Sequence, residues 1–539
     1  MFLDARNVQA GTIVTTDVCI IGSGVAGLTL ARDLDTLKIP SCVIESGGFE
    51  PDDETRDLYR GECIGLPYDF ADGCRGRYLG GSSNCWGGWC RPMDPIDYER
   101  RSWIPHSGWP FGPQELGPYY ERAQSILQLG INNYDIGYWT KAINRPDVRR
   151  YPLSGRTLID GVSQFSPPLR AGKVFRTELQ QSSNIRVLLY ANVTNILADA
   201  TVSTAQQVDV QTLSGNKITV RARIFVLAAG GIENTRLLLV SNTQAAAGLG
   251  NGNDLVGRFF MDHPRVTSSW VHLRPEWQRN KLYDDKFQYQ NTAVSANGTR
   301  IAAQFAPTRE VQERDGILNA RVSLASIFPG EYGAAGDAIR RLRRQYEGME
   351  KPGTTIAEDV WTMATHPFQS TGFVAARLWQ PKFLIRGVKM HATVEATPDP
   401  ESRVTLSDTR DRLNMRRVRV NWRLDANVKR TFDRMFALMR EELEASKIAR
   451  IDLDPPIGEG DWPDTFEREG TWHHMGTTRM HDSPRQGVVD RNCLIHGMKN
   501  LYVAGSSVFP TGSSIYPTIT LTALALRLSK HIASQLSRP

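Results

Sequence analysis

The chain alternates between buried-strand runs, amphipathic helical runs and half-polar strands, in a repeating order. Asp17-Val-Cys-Ile-Ile reads as a short strand covered on both faces. Gly22-Ser-Gly24-Val-Ala-Gly27 follows, and LTLARDLDTL after it has helical periodicity. Cys42-Val-Ile-Glu45 is a second buried strand, which completes a βαβ start. Residues 184–229 read as strands: RVLLYANVTNIL, QVDVQTL, a turn at Ser214-Gly215-Asn216, then KITVRA. The run from Ile224 to Ala229 ends in Gly230-Gly231, and IENTRLLLV opens a helix. Residues 265–425 change texture. RVTSSWVHL, RIAAQFAP, VKMHATVEATP, RVTLS and RVRVNWRL predict a mostly antiparallel sheet with one solvated face, interrupted by one helical insertion near 335–350. Phe432, Met435, Phe436, Met439 and Leu443 then mark one face of a helix. Asn500-Leu-Tyr-Val-Ala504-Gly505 and ITLTALALRLSKHI return to strand and helix near the C-terminus.

Nucleotide-domain features therefore occur at the start, middle and end of the chain. The predicted fold class is α/β + α+β: a discontinuous Rossmann-like nucleotide-binding domain with an inserted antiparallel-sheet substrate domain. The expected pieces are 1–100, 155–265 and 455–539 for the first, and 101–154 with 266–454 for the second. A chain of 539 residues exceeds what one core usually supports, which agrees with two domains.

Composition adds little. Hydrophobic residues are 40% and charged residues 23%, the values of an ordinary globular protein. A net charge of +6 is too mild to argue for nucleic acid. Arg340, Arg341, Arg343 and Arg344 form the densest basic cluster, read as a solvated helix face in preference to a docking patch. Seven cysteines without framework spacing predict reduced thiols and a cytoplasmic home. The N-terminus lacks a secretory core, and no window is apolar enough to span a membrane; export with a partner subunit stays open as the alternative. No metal site is expected. Cys85 and Cys90 lack a second pair, and His473 and His474 are adjacent, so they cannot share a helix face.

Three segments carry chemistry. In GSGVAG, Gly22 permits the tight turn, Gly24 admits a pyrophosphate, and Gly27 lets helix and strand pack closely. Glu45, ending the second strand, suits a ribose hydroxyl, which fits NAD or FAD and disfavours NADP. Gly80-Gly81-Ser82-Ser83-Asn84-Cys85-Trp86 is a second loop whose backbone can approach a flat ligand. Trp472-His473-His474-Met475-Gly476-Thr477 offers a candidate general base.

Together these segments resemble the glucose–methanol–choline (GMC) oxidoreductases, a flavoprotein family. The matching motifs are GSGVAG with Glu45, GGSS at 80–83, VLAAGGIENTRLLL at 226–239, GRFFMDHP at 257–264, HHMGTTRM at 473–480 and NLYVAGSSVFPTGSSIYPT at 500–518. They stand in family order over nearly the whole chain. GGSSNCWGGW and WHHMGTTRM look closest to bacterial sugar- and glycoside-oxidising members, such as pyranose 2-oxidase, glycoside 3-oxidase and fructose or gluconate dehydrogenase flavin subunits.

The resemblance implies FAD as cofactor. Gly22, Gly24, Gly27 and Glu45 would hold its ADP half, with Val193, Ala229 and Gly230 beside the adenine region. Gly505 and Ser506 would sit at the pyrophosphate, Thr518 would also bind the cofactor, and Gly80 through Trp86 would face the isoalloxazine. His473 would be the base that accepts a hydroxyl proton while hydride passes to flavin N5, oxidising the CH–OH of a sugar, glycoside or related alcohol.

Two departures stand out. Tyr516 occupies the place of the usual second catalytic His or Asn, and is expected to take part. It also keeps open an alternative, a lyase or redox-neutral flavoenzyme on the same scaffold. Cys85 stands where pyranose 2-oxidase has a flavin-linked histidine; a cysteinyl link is the lesser expectation beside non-covalent FAD. The expected partners are the substrate and either O2 or an electron acceptor, with a homo-oligomer allowed. Trp361, Phe373, Trp379 and His366 are candidates for a sugar-binding surface, although aromatics at such positions more often belong to a core.

Overall fold

The computed structural model describes the chain except residues 69–74, 168, 279, 286–294, 297, 329–332, 347–354, 379–384, 459, 468–470 and 538–539. Its first sheet joins the three sequence pieces. Strand Ile13–Ile21 lies in parallel between Ser41–Ile44 and Lys217–Leu227. Ile185–Leu189 and then Phe2–Asp4 extend the parallel edge. Leu501–Val503 pairs with the end of Lys217–Leu227, while Ala205–Gln211 and Asn192–Ala198 form an antiparallel meander on its first half.

The run RVLLYANVTNIL thus becomes two strands, at positions far apart in the sheet. Tyr190, with φ of 56°, turns the chain between them. Helix Val25–Thr36 packs on this sheet and against helix Thr518–Leu536.

The second sheet runs Ala449–Asp452, Arg265–Leu273, Gly387–Val394, Ala320–Ile327, Thr299–Pro307, Leu158–Phe165 and Trp89–Cys90, antiparallel throughout. Leu158–Phe165, assigned from sequence to the nucleotide piece, belongs here because its whole length pairs with Thr299–Pro307. Helix Ala426–Ala445 covers the sheet with the expected stripe: Phe432, Met435, Phe436, Met439 and Leu443 are all buried. Arg403–Arg410 and Arg416–Asn421 leave the predicted sheet. They form a separate three-stranded one with Glu62–Cys63.

The insertion holds three helices, Ala334–Tyr346, Ile356–Thr365 and Pro367–Leu378, where one was expected. Trp361 is 70% exposed, His366 is exposed and Phe373 is buried, and none of them lines the central cavity. Trp379 and Cys74 lie outside the described residues. The six described cysteines are free thiols. No described helix is long and apolar enough to cross a membrane.

Candidate active site

The parallel strands end at one edge of the first sheet, and the loops that follow them enclose a cavity of about 390 Å³. An open α/β sheet binds ligands outside the carboxyl ends of its strands. Gly22, Gly24 and Glu45 reach the cavity from the first βαβ unit, Val193, Ala229 and Gly230 from the middle piece, and Gly505, Ser506, Tyr516 and Thr518 from the last. Gly81, Ser82, Ser83, Cys85, Trp86 and His473 complete the predicted wall.

Gly27, Gly80 and Asn84 do not line the cavity, contrary to a direct cofactor contact. They shape it from behind. A Cβ on Gly27 would sit 2.1 Å from the Gly22 carbonyl oxygen, so this helix packs on its turn only with glycine there. Asn84 Nδ2 donates to the Leu79 carbonyl at 2.9 Å. Gly80 has φ of 99° and donates its N–H to the Ser23 carbonyl at 3.1 Å, which ties the two glycine loops together.

The wall fits a dinucleotide. A Cβ added to Gly230 or Gly505 would meet no protein atom within 4 Å, so these backbones face open space. Gly22 is different: with φ of 107°, its Cβ would lie 2.6 Å from the Ala228 carbonyl oxygen, and the turn requires glycine. Glu45 is held at its strand end by the Ser23 N–H at 3.2 Å and the Gly47 N–H at 3.0 Å. His474 presents Nε2 buried at the wall with no protein partner among the described residues, ready for a polar ligand atom. Arg77 and Glu233, which sequence reading passed over, also line the cavity, and they pair at 3.3 Å.

His473 sits in a hydrogen-bonded set that defines its protonation. His263 Nε2 is 2.8 Å from the Ser513 carbonyl and 3.1 Å from the Gly512 carbonyl. Carbonyls only accept, so this nitrogen carries the hydrogen and His263 Nδ1 keeps its lone pair. His473 Nδ1 lies 2.9 Å from that lone pair and 2.8 Å from Thr471 Oγ1, whose own hydrogen goes to Asp262. Both neighbours therefore accept from His473 Nδ1–H. Nε2 of His473 is left as the basic nitrogen, on a residue that lines the cavity.

Burial first, then the His263, Arg265 and His474 charges, drive the His473 pKa well below 6.5. His474 is pushed down to about 4 by burial, with Arg75 adding to the effect.

Asp262 organises this set. It accepts from Tyr68 Oη at 2.5 Å, from the N–H groups of His263 (2.7 Å), Thr471 (3.1 Å), Trp472 (2.8 Å) and His473 (3.0 Å), and from the Thr471 hydroxyl. Asp262, His263 and His473 place ligand-type atoms within 4.8 Å of one another. The facing Nδ1 atoms and both Asp262 oxygens are engaged in these hydrogen bonds.

Tyr516 stands edge-on to His473, ring centroids 5.5 Å apart, and stacks on Trp89 at 5.2 Å. Arg265 Nη2 donates to its hydroxyl at 3.5 Å. Burial raises the Tyr516 pKa, which keeps that hydroxyl a donor.

Residues 398–525, which end within the Thr518–Leu536 helix, match the GMC oxidoreductase C-terminal family model. That stretch is similar to the C-terminal part of the GMC oxidoreductases. The chain is 25% identical over 597 residues to 2-methyl-1,2-propanediol dehydrogenase of Mycolicibacterium austroafricanum, covering 97% of this chain and 96% of that one. It is also 25% identical over 319 residues to the fructose dehydrogenase large subunit of Gluconobacter japonicus, of which it spans 48%. A solved formate oxidase shares the fold at a TM-score of 0.54 and 16% identity, covering 98% of this chain and 99% of that one.

Sequence reading quoted the GRFFMDHP motif but gave Asp262 and His263 no role. Their acid and imidazole, next to each other in a family motif, were the available signal.

Proposed function

We propose that this protein is a GMC oxidoreductase that holds FAD in this cavity and oxidises the CH–OH group of a sugar, glycoside or related alcohol, with His473 as the base. The observation that carries the proposal is the Nδ1–H tautomer of His473, set by two independent acceptors, which leaves Nε2 basic at the cavity wall. The depressed pKa keeps that nitrogen unprotonated at neutral pH.

Gly22, Gly24, Glu45, Gly230, Gly505 and Ser506 would hold the cofactor. FAD, when bound, supplies the two-electron acceptor for the hydride of the carbinol carbon. His473 Nε2 takes the hydroxyl proton. Tyr516 donates its O–H to the substrate oxygen while Arg265 donates to the tyrosine, so negative charge developing on that oxygen meets a polarised donor.

The flavin is held non-covalently in this reading. Burial pushes the Cys85 thiol up to about 11, which leaves little thiolate for a link. Relatives that act on fructose and on a diol support an alcohol substrate.

The test is anaerobic. His473→Ala should retain FAD but lose most substrate-driven flavin bleaching, with sugars, glycosides and alcohols screened against an artificial acceptor. Bleaching at the wild-type rate removes His473 from the role. Turnover of substrate without bleaching of wild type would favour a lyase instead.

A further inference from the structure

Asp97 lies in the short helix Pro95–Tyr98, fully buried and outside the cavity wall. Its carboxylate accepts the Ser513 hydroxyl at 2.6 Å, the Asp94 N–H at 2.9 Å and Asn319 Nδ2 at 2.9 Å. Its carbonyl accepts the Thr511 hydroxyl at 2.7 Å. Two hydroxyls of the C-terminal loop thus plug into one residue more than 400 positions earlier.

Ser513 is buried and has φ of 56°, the left-handed region that a side chain disfavours. Its carbonyl is the nearer acceptor for His263 Nε2–H. The peptide on either side of Ser513 turns with its φ and ψ, so the Gly512 acceptor moves with it.

We propose that Asp97 is a positioning residue for the catalytic base. Through the Ser513 hydroxyl it holds the left-handed backbone whose carbonyl fixes the tautomer of His263, and thereby that of His473. If Ser513 relaxes to an extended conformation, its carbonyl leaves Nε2. His263 is then free to carry its hydrogen on Nδ1. His473 Nδ1 would have to accept from it, its hydrogen would move to Nε2, and the basic site facing the cavity would be lost. The inference rests on His473 as proton acceptor, but the tautomer itself can be read without any substrate.

The experiment compares Ser513→Ala, Ser513→Gly, Asp97→Ala and the double variant Asp97→Ala/Ser513→Gly, all as flavin-loaded enzyme. Glycine keeps the carbonyl and adopts positive φ without the anchor, whereas alanine does not. Anaerobic flavin reduction should fall about tenfold in Ser513→Ala and Asp97→Ala, the scale of a left-handed penalty. Ser513→Gly and the double variant should recover most of that loss.

Nitrogen-15 spectra of histidine-labelled protein should show His473 as Nδ1–H and His263 as Nε2–H in wild type. Mixed tautomers are expected only in the two alanine single variants. Ser513→Gly as slow as Ser513→Ala overturns the proposal, and so does a wild-type His473 protonated on Nε2. If the tautomers behave as expected but His473→Ala still bleaches, the base assignment fails and the positioning role stands.

Discussion

Replacing Asp262 with asparagine tests the acid that organises the loop of the candidate base His473. The carboxylate is fully buried and takes six hydrogen bonds, three on each oxygen. Asparagine keeps one acceptor oxygen and turns an NH2 group toward the other three donors. On the Oδ2 side, the Tyr68 hydroxyl can rotate to accept, but the Thr471 and Trp472 N–H groups cannot. On the Oδ1 side, the Thr471 hydroxyl can rotate, but the His263 and His473 N–H groups cannot.

Either orientation strands two buried backbone donors. At about 1–3 kcal/mol each, the loss is about 2–6 kcal/mol. Trp472, held at φ of 60° beside this carboxylate, would relax as well. Denaturant unfolding followed by tryptophan fluorescence gives the stability change, and anaerobic flavin reduction gives the catalytic one. The Asp262→Asn enzyme should be less stable by that amount and reduce its flavin much more slowly. A stability change under about 1 kcal/mol with an unchanged reduction rate would refute the reasoning.

Other outcomes follow from the same structure. Gly22→Ala should abolish FAD retention, because its Cβ meets the Ala228 carbonyl at 2.6 Å; flavin absorbance per protein measures this, and a full flavin complement would contradict it. Acid precipitation of wild type should leave the flavin in solution, since Cys85 is held protonated; flavin in the pellet would establish a covalent link. Glu395→Ala should cost about 3–5 kcal/mol, because Arg101, paired with it through two bonds of 2.6 and 2.8 Å, is left charged and buried; thermal unfolding checks this. The folded pKa of His473 lies below its unfolded value near 6.5, so the unfolded chain binds the proton first as pH falls. The stability from neutral His473 is full above pH 6.5 and is lost below it. The acid limb of flavin reduction should likewise lie below pH 6.5, and a limb above it would argue against His473 as the base.

Much of the site was legible because its demands are local. A turn that tolerates no Cβ at Gly22, a helix that packs on it only with Gly27, and an acid ending the next strand are all stated within thirty residues. The amphipathic stripe of Ala426–Ala445 is equally local, written in its three- and four-residue spacing. Errors arose where local pattern was silent on partners. Leu158–Phe165 reads as a strand under any reading, but only its pairing with Thr299–Pro307 assigns its sheet. Nothing in RVTLS or RVRVNWRL announces that Glu62–Cys63 would recruit them into a separate sheet.

The sequence by itself determined the βαβ start, the glycines of its turn and the stripe of the Ala426–Ala445 helix, and it marked His473 and Tyr516 as candidates, both of which line the cavity. Tertiary structure alone decided which nitrogen of His473 is basic. That outcome depends on Asp262 and His263, some 210 positions away, and on the Ser513 carbonyl. The physical reason is that backbone conformation is a preference of the residue itself. A tautomer is a property of the acceptors around it, and those are assembled only when distant parts of the chain meet.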